Sequence, residues 1–278
     1  MSEPGRASGS RSAVAWVRAA ALAAGLGAAV LSAGFLLGWP IATGMWPVSV
    51  TPITYTFLSA YVLGSVAALM WVAVTGEIAA LRGIGLTTAV AYGSMAVLLV
   101  GMLGGRPEVV INVVAAIGLC LGGILALVFG LRQPVRDRRL TPGQLRVACL
   151  VVAVLLLILG VPLLLWMPDV MPWTLDLDSG ALIGCLFLGS AAYFAYGALR
   201  PAWPNAAGPL AALLAYDVVL TPPLVAHSDR AAATRDRPRP VHRGSRLDRG
   251  HGRLRLPGRQ THARGDHVRT VTTRVNVV

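Results

Sequence analysis

The chain has 278 residues, 55% of them hydrophobic and only 13% charged, with a mean hydropathy of +0.67. A soluble domain carries about a quarter charged residues, so this composition excludes one. The net charge of +12 comes from 24 Arg with no Lys, which excludes Lys-dependent phosphate loops and Schiff-base chemistry.

Residues 1–12 read as a disordered cytoplasmic N-terminus. Beyond them, seven apolar runs reach the length of about 20 residues that crosses a bilayer. They predict helices over 19–38, 53–75, 84–105, 109–131, 147–167, 179–199 and 207–226. Arg6, Arg11 and Arg18 precede the first run as they would in a signal peptide. That run exceeds the usual h-region of about 7–15 residues, so an uncleaved first helix is expected.

Orientation follows from where Arg sits between the runs. With the N-terminus cytoplasmic, the inner segments hold Arg6, Arg11, Arg18, Arg82, Arg132, Arg136, Arg138, Arg139, Arg146 and Arg200, and the outer segments hold only Arg106. A multi-pass protein of the cell membrane with its N-terminus inside is expected. The outer segments 39–52 and 167–178 have no basic residue, and Trp39, Trp46, Trp166 and Trp173 suit the headgroup level.

These segments also reveal an internal duplication. A shift of 125 carries Pro47 onto Pro172, Leu63-Gly64-Ser65 onto Leu188-Gly189-Ser190, Ala67 onto Ala192 and Ala73 onto Ala198. At nearby shifts Leu36-Leu37 and Trp39 match Leu163-Leu164 and Trp166, and Ala91-Tyr92 matches Ala215-Tyr216. Four helices separate the copies, so they point the same way. The expected fold is an all-α integral membrane helix bundle of about seven transmembrane helices in two parallel repeats. Residues 13–131 form the first repeat with a linker helix, 132–146 a basic cytoplasmic loop, and 147–226 a second, truncated repeat.

Residues 227–278 break this pattern. They hold 13 Arg and all five His (227, 242, 251, 262 and 267), with no aromatic residue and no apolar run. Disorder is expected there. The composition is that of out-of-frame translation of a GC-rich gene, and the rival reading is an Arg-rich arm for anionic lipid or nucleic acid.

No catalytic, cofactor or metal constellation stands out. His is missing before residue 227, and Cys120, Cys149 and Cys185 stand singly in apolar runs. Asp217, the lone carboxylate within an apolar run, is a candidate for cation binding or proton relay, with Pro209, Pro222 and Pro223 breaking the helix around it. Its non-functional readings are a protonated carboxyl bonded to a neighbouring hydroxyl, or a helix too broken by these prolines to span. Thr54, Tyr61 and Ser65 share one face of the second helix, and the shift carries Ser65 onto Ser190. Such hydroxyls line a cavity between repeats or, more commonly, bond helix to helix.

The pairs Gly34/Gly38, Gly101/Gly105, Gly118/Gly122 and Gly180/Gly184 predict close helix approaches. Asp169, Asp176 and Asp178 read as solvated, and Glu77 and Arg82 as interfacial.

The Trp-Pro loops MWPVSVTP and MPWTLDLD, each leading into an Ala/Leu/Gly-rich helix, and the Arg-only basic loops resemble those of uncharacterised polytopic membrane proteins of high-GC actinobacteria. The resemblance spans residues 13 to about 226. It implies a membrane fold, no particular activity and no site residues. The default function is a non-enzymatic structural or partner-binding membrane component, in contact with lipid and other membrane helices and not with nucleic acid. The alternative is a small-solute or ion transporter with its site between the repeats.

Overall fold

A computed structural model describes residues 5–235, with side chains described from Val14 to Pro223 and at Val225. The arginine-rich segment from 236 onward, and the disorder expected of it, lie outside the described residues. Eight α-helices follow in order: α1 (Gly5–Leu36), α2 (Pro40–Thr43), α3 (Pro52–Thr75), α4 (Leu81–Met102), α5 (Val110–Leu131), α6 (Gly143–Leu164), α7 (Leu177–Leu199) and α8 (Trp203–Arg235). All except the single-turn α2 contain a stretch long and apolar enough to cross a membrane. The protein is a multi-pass membrane helix bundle. The one extended pairing among the described residues is a bridge between Leu140 and Ala202.

Each of the seven expected runs is a helix, but the ends of the chain differ from expectation. Residues 5–12 are helical and not disordered, and α8 continues past residue 226 to Arg235. A helix already nucleated in an apolar span adds further residues at little cost, even polar ones. Nor do Pro209, Pro222 and Pro223 break α8, which runs through all three. In lipid an open helix break would expose several backbone groups, whereas each Pro removes a single N–H.

α1 packs on α3, α6 on α7, and α4 on both α5 and α7. Glycines set the closest crossings. A methyl group built on Gly123 would lie 2.6 Å from the Ala89 backbone N, which locks α5 onto α4. One on Gly184 would lie 2.9 Å from the Gly160 carbonyl oxygen, joining α7 to α6. The expected approaches at Gly101, Gly105, Gly118 and Gly122 do not occur: a methyl there would meet nothing within 4 Å. Gly101, Gly118 and Gly122 lie on helix faces turned away from other helices, and Gly105 lies in the turn after α4. Outward faces are otherwise aliphatic, as at Leu26, Val30, Ile111, Leu125, Leu155 and Ile158.

At one end of the bundle, arginines cap helix C-termini, whose last carbonyls lack helical partners. Arg18 Nε donates to the Ala73 carbonyl (2.7 Å) and Arg146 Nε to the Ala198 carbonyl (2.9 Å), closing α3 and α7. Arg82, expected at the interface, closes α5 by donating to the Gly130 and Gln133 carbonyls. Asp137 pairs with Arg139, whose hydrogen bonds hold the carboxyl below its ordinary pKa.

Glu77, also expected at the interface, is buried. Its carboxylate accepts the backbone N–H groups of Arg136 and Asp137, both at 3.1 Å, and clamps the basic loop under α3. Glu77→Ala strands two donors and removes charged hydrogen bonds. Tryptic cleavage of this loop is expected to rise about ten-fold or more, read by gel on the detergent-solubilised protein.

At the other end, Trp39 and Trp166 are 47% and 45% exposed, as headgroup-level rings require. Trp46 and Trp173, expected to do the same, instead pack against the main core. Two of the three aspartates expected to be solvated have partners. Asp178 pairs with Arg106 at 2.7 Å, and Asp176 caps α7 by accepting the Ser179 N–H at 2.8 Å. Trp166 takes a left-handed φ of 62°, and Gly38 after α1 takes 66°. Both helices thus end in the same reversal, one with a glycine and one with a strained tryptophan.

Candidate functional site

The motif Leu-Gly-Ser occurs at 63–65 on α3 and at 188–190 on α7. A methyl on Gly64 would lie 3.0 Å from the Ala212 carbonyl oxygen on α8, and one on Gly189 would lie 2.7 Å from the Thr87 carbonyl oxygen on α4. Without a Cβ, each helix lies directly on a backbone from the other part of the chain. Ser65 and Ser190, which follow the two glycines, are thereby carried into one cavity of about 310 Å³ between α3, α4, α7 and α8. Val152, Leu156 and Leu159 of α6 complete its wall.

The lining is apolar with a set of hydroxyls and no charged side chain. Tyr61, Ser65, Thr87, Thr88, Tyr92, Ser190, Tyr193 and Tyr216 are the hydroxyl-bearing residues of the wall, with the Tyr61 phenol near the hydroxyls of Ser190 and Thr87. Such a surface can hydrogen-bond a neutral molecule, and it offers no formal charge to balance that of an ion. Toward the tryptophan end the fully buried Phe57 packs on two rings of the cavity wall, Phe187 and Tyr216. Its ring centroid lies 5.5 Å from that of Phe187, 5.9 Å from Tyr216 and 6.1 Å from Trp173.

Tyr193 is the most constrained member. Its ring lies between Gly83 of α4 and Gly208 of α8, where a methyl on either glycine would overlap it. Its hydroxyl is buried with no hydrogen-bond partner. At the position 125 residues earlier stands Ala68, which also lines the cavity, so one side of the site is filled and the other is not.

Of the five candidate residues, the structure brings together Tyr61, Ser65 and Ser190. Thr54 does not join them. It is fully buried nearer the tryptophan end, against Thr51 (3.0 Å), and accepts a hydrogen bond from Trp173 Nε1 (3.2 Å). Its seven-residue spacing from Tyr61 keeps the face but moves it about 10 Å along the axis, beyond Phe57.

Asp217 does not join them either. Tyr216 takes the cavity-facing position, and the helical turn of about 100° per residue points Asp217 outward, where it is exposed. Thr87, Tyr92 and Tyr216 join the wall in addition to the candidate residues, and the matched Ala-Tyr pairs contain both tyrosines. Thr87 carries no signal in the sequence. Among the described residues no group of three or more His, Cys, Asp and Glu converges. In comparisons with family models, curated proteins and solved structures, no match is found.

Proposed function

We propose that this protein passes a small uncharged solute across the cell membrane through the cavity between two duplicated halves. Its N-terminus and arginine end face the cytoplasm. The observation that carries the reading is the uncharged, hydroxyl-bearing cavity with Ser65 and Ser190 in its wall.

Contacts that recur at nearly one offset support the duplication. Gly64 against Ala212 and Thr87 against Gly189 are the same pair with the halves exchanged, since each residue shifts by 125. The caps Arg18–Ala73 and Arg146–Ala198 correspond with shifts of 128 for the arginine and 125 for the carbonyl. Thr51 with Thr54, and Asp176 with Ser179, occupy matching first turns. Two like halves meeting around a central site can rock against each other, and the Phe57 layer lies between the site and the tryptophan end.

The test is stopped-flow swelling of proteoliposomes with glycerol, urea and cyclohexanol. At least one of these is expected to enter faster than into protein-free vesicles. Ser190→Phe, which places a ring in the cavity, should abolish the excess. Equal rates for all three, with folded protein in the vesicles, would leave the cavity a packing defect and favour the structural reading.

A further inference from the structure

α8 turns one face away from the other helices. Leu214, Asp217, Val218, Thr221 and Val225 are all exposed, and their spacing of three or four residues puts them on one side. Asp217 lies within the spanning segment Trp203–Pro223, where a carboxyl facing lipid is strongly disfavoured. The same level is polar in its backbone too. Pro222 and Pro223 bring no N–H, so the carbonyls of Val218 and Val219 lack helical partners. The matching face of α4 is not left open in this way. Gly85 and Ala89, which stand 125 positions before Leu210 and Leu214, are covered by α5 at backbone contact.

We propose that this face of α8 joins two copies of the chain in a parallel, two-fold pair, with the two Asp217 carboxyls side by side. Membrane topology gives both copies one orientation and one depth. A two-fold axis along the membrane normal therefore sets each α8 residue opposite itself. Two carboxyls at one level complement each other when one carries a proton, because the protonated group donates and the ionised group accepts. Among the described residues the basic side chains lie at the two ends of the bundle, so self-pairing at this depth is carboxyl to carboxyl. A single polar layer within an apolar stripe also sets register, while Leu214 and Val218 supply the flanking contact.

The full chain, labelled once per copy, is to be counted by single-molecule photobleaching in dilute vesicles, where two-step bleaching is expected to dominate. In membranes, oxidised Val218→Cys should give a dimer about ten-fold more abundantly than Val97→Cys, a control at an exposed position on α4. Asp217→Asn, which still donates and accepts, should keep the pair, and Asp217→Leu should weaken association about ten-fold. One-step bleaching of the unmutated chain overturns the proposal. So does equal cross-linking of the two cysteine variants, a Val218→Cys cross-link to a different protein, or undiminished pairing of Asp217→Leu.

Discussion

Leucine at Gly123 is expected to destabilise the bundle by about 3 kcal/mol or more, whereas leucine at the adjacent Gly122 is expected to do no harm. At Gly123 the first side-chain carbon already meets the Ala89 backbone 2.6 Å away and the Gly85 carbonyl oxygen 2.9 Å away. Backbone atoms of a packed helix cannot swing aside as a long side chain can, so α4 and α5 must separate. At Gly122 a methyl meets nothing within 4 Å. There leucine gains the helix propensity that glycine lacks, about 1 kcal/mol in water-soluble hosts. Thermal unfolding in detergent, followed by size-exclusion chromatography, reads both variants. Equal melting temperatures would mean that the α4–α5 crossing is looser than its geometry. Gly189→Leu should behave like Gly123→Leu, and should also part α7 from α4 beside the cavity.

At Tyr193 two substitutions separate the ring from its hydroxyl. Tyr193→Ala empties the space between Gly83 and Gly208 and should cost about 3–5 kcal/mol, as large aromatic truncations in packed cores do. Tyr193→Phe keeps the ring and deletes a buried hydroxyl that has no partner. An unsatisfied buried donor costs about 1–3 kcal/mol, so the phenylalanine variant should be as stable as the parent or more stable. If the hydroxyl serves the solute, Tyr193→Phe should still slow solute entry about ten-fold, the worth of one hydrogen bond in a dry site. A lower melting temperature for Tyr193→Phe would show that the hydroxyl has a partner within the protein. Unchanged entry would remove it from the solute site.

The contrast between Gly122 and Gly123 separates what spacing along a helix encodes from what packing decides. Spacing singled out Gly118 and Gly122 as a pair able to approach another helix. The helix approached is met by Gly123 and Gly130, one face away. Every glycine has the capacity for close approach, and only the rotation of α5 against α4 selects those that use it. Thr54 and Asp217 teach the same lesson for the site. Periodicity along one helix placed Thr54 with Tyr61 and Ser65, but the intervening Phe57 comes from packing against α7 and α8. Asp217 stood out chemically, and its outward direction depends on which side of α8 meets α3.

What the sequence determined by itself was the set of spanning helices, their number and the matched Leu-Gly-Ser motifs. These depend on terms local to the chain: apolar length against bilayer thickness, and residue identity at a constant shift. The tertiary structure alone decided which hydroxyls share the cavity and which glycines touch. It also decided that Glu77, Arg82 and Asp178 hold partners across the chain. Those outcomes depend on helix rotation and depth, set by contacts among residues far apart in sequence. Within lipid the hydrophobic effect no longer separates one helix face from another, so packing and hydrogen bonding alone make that choice.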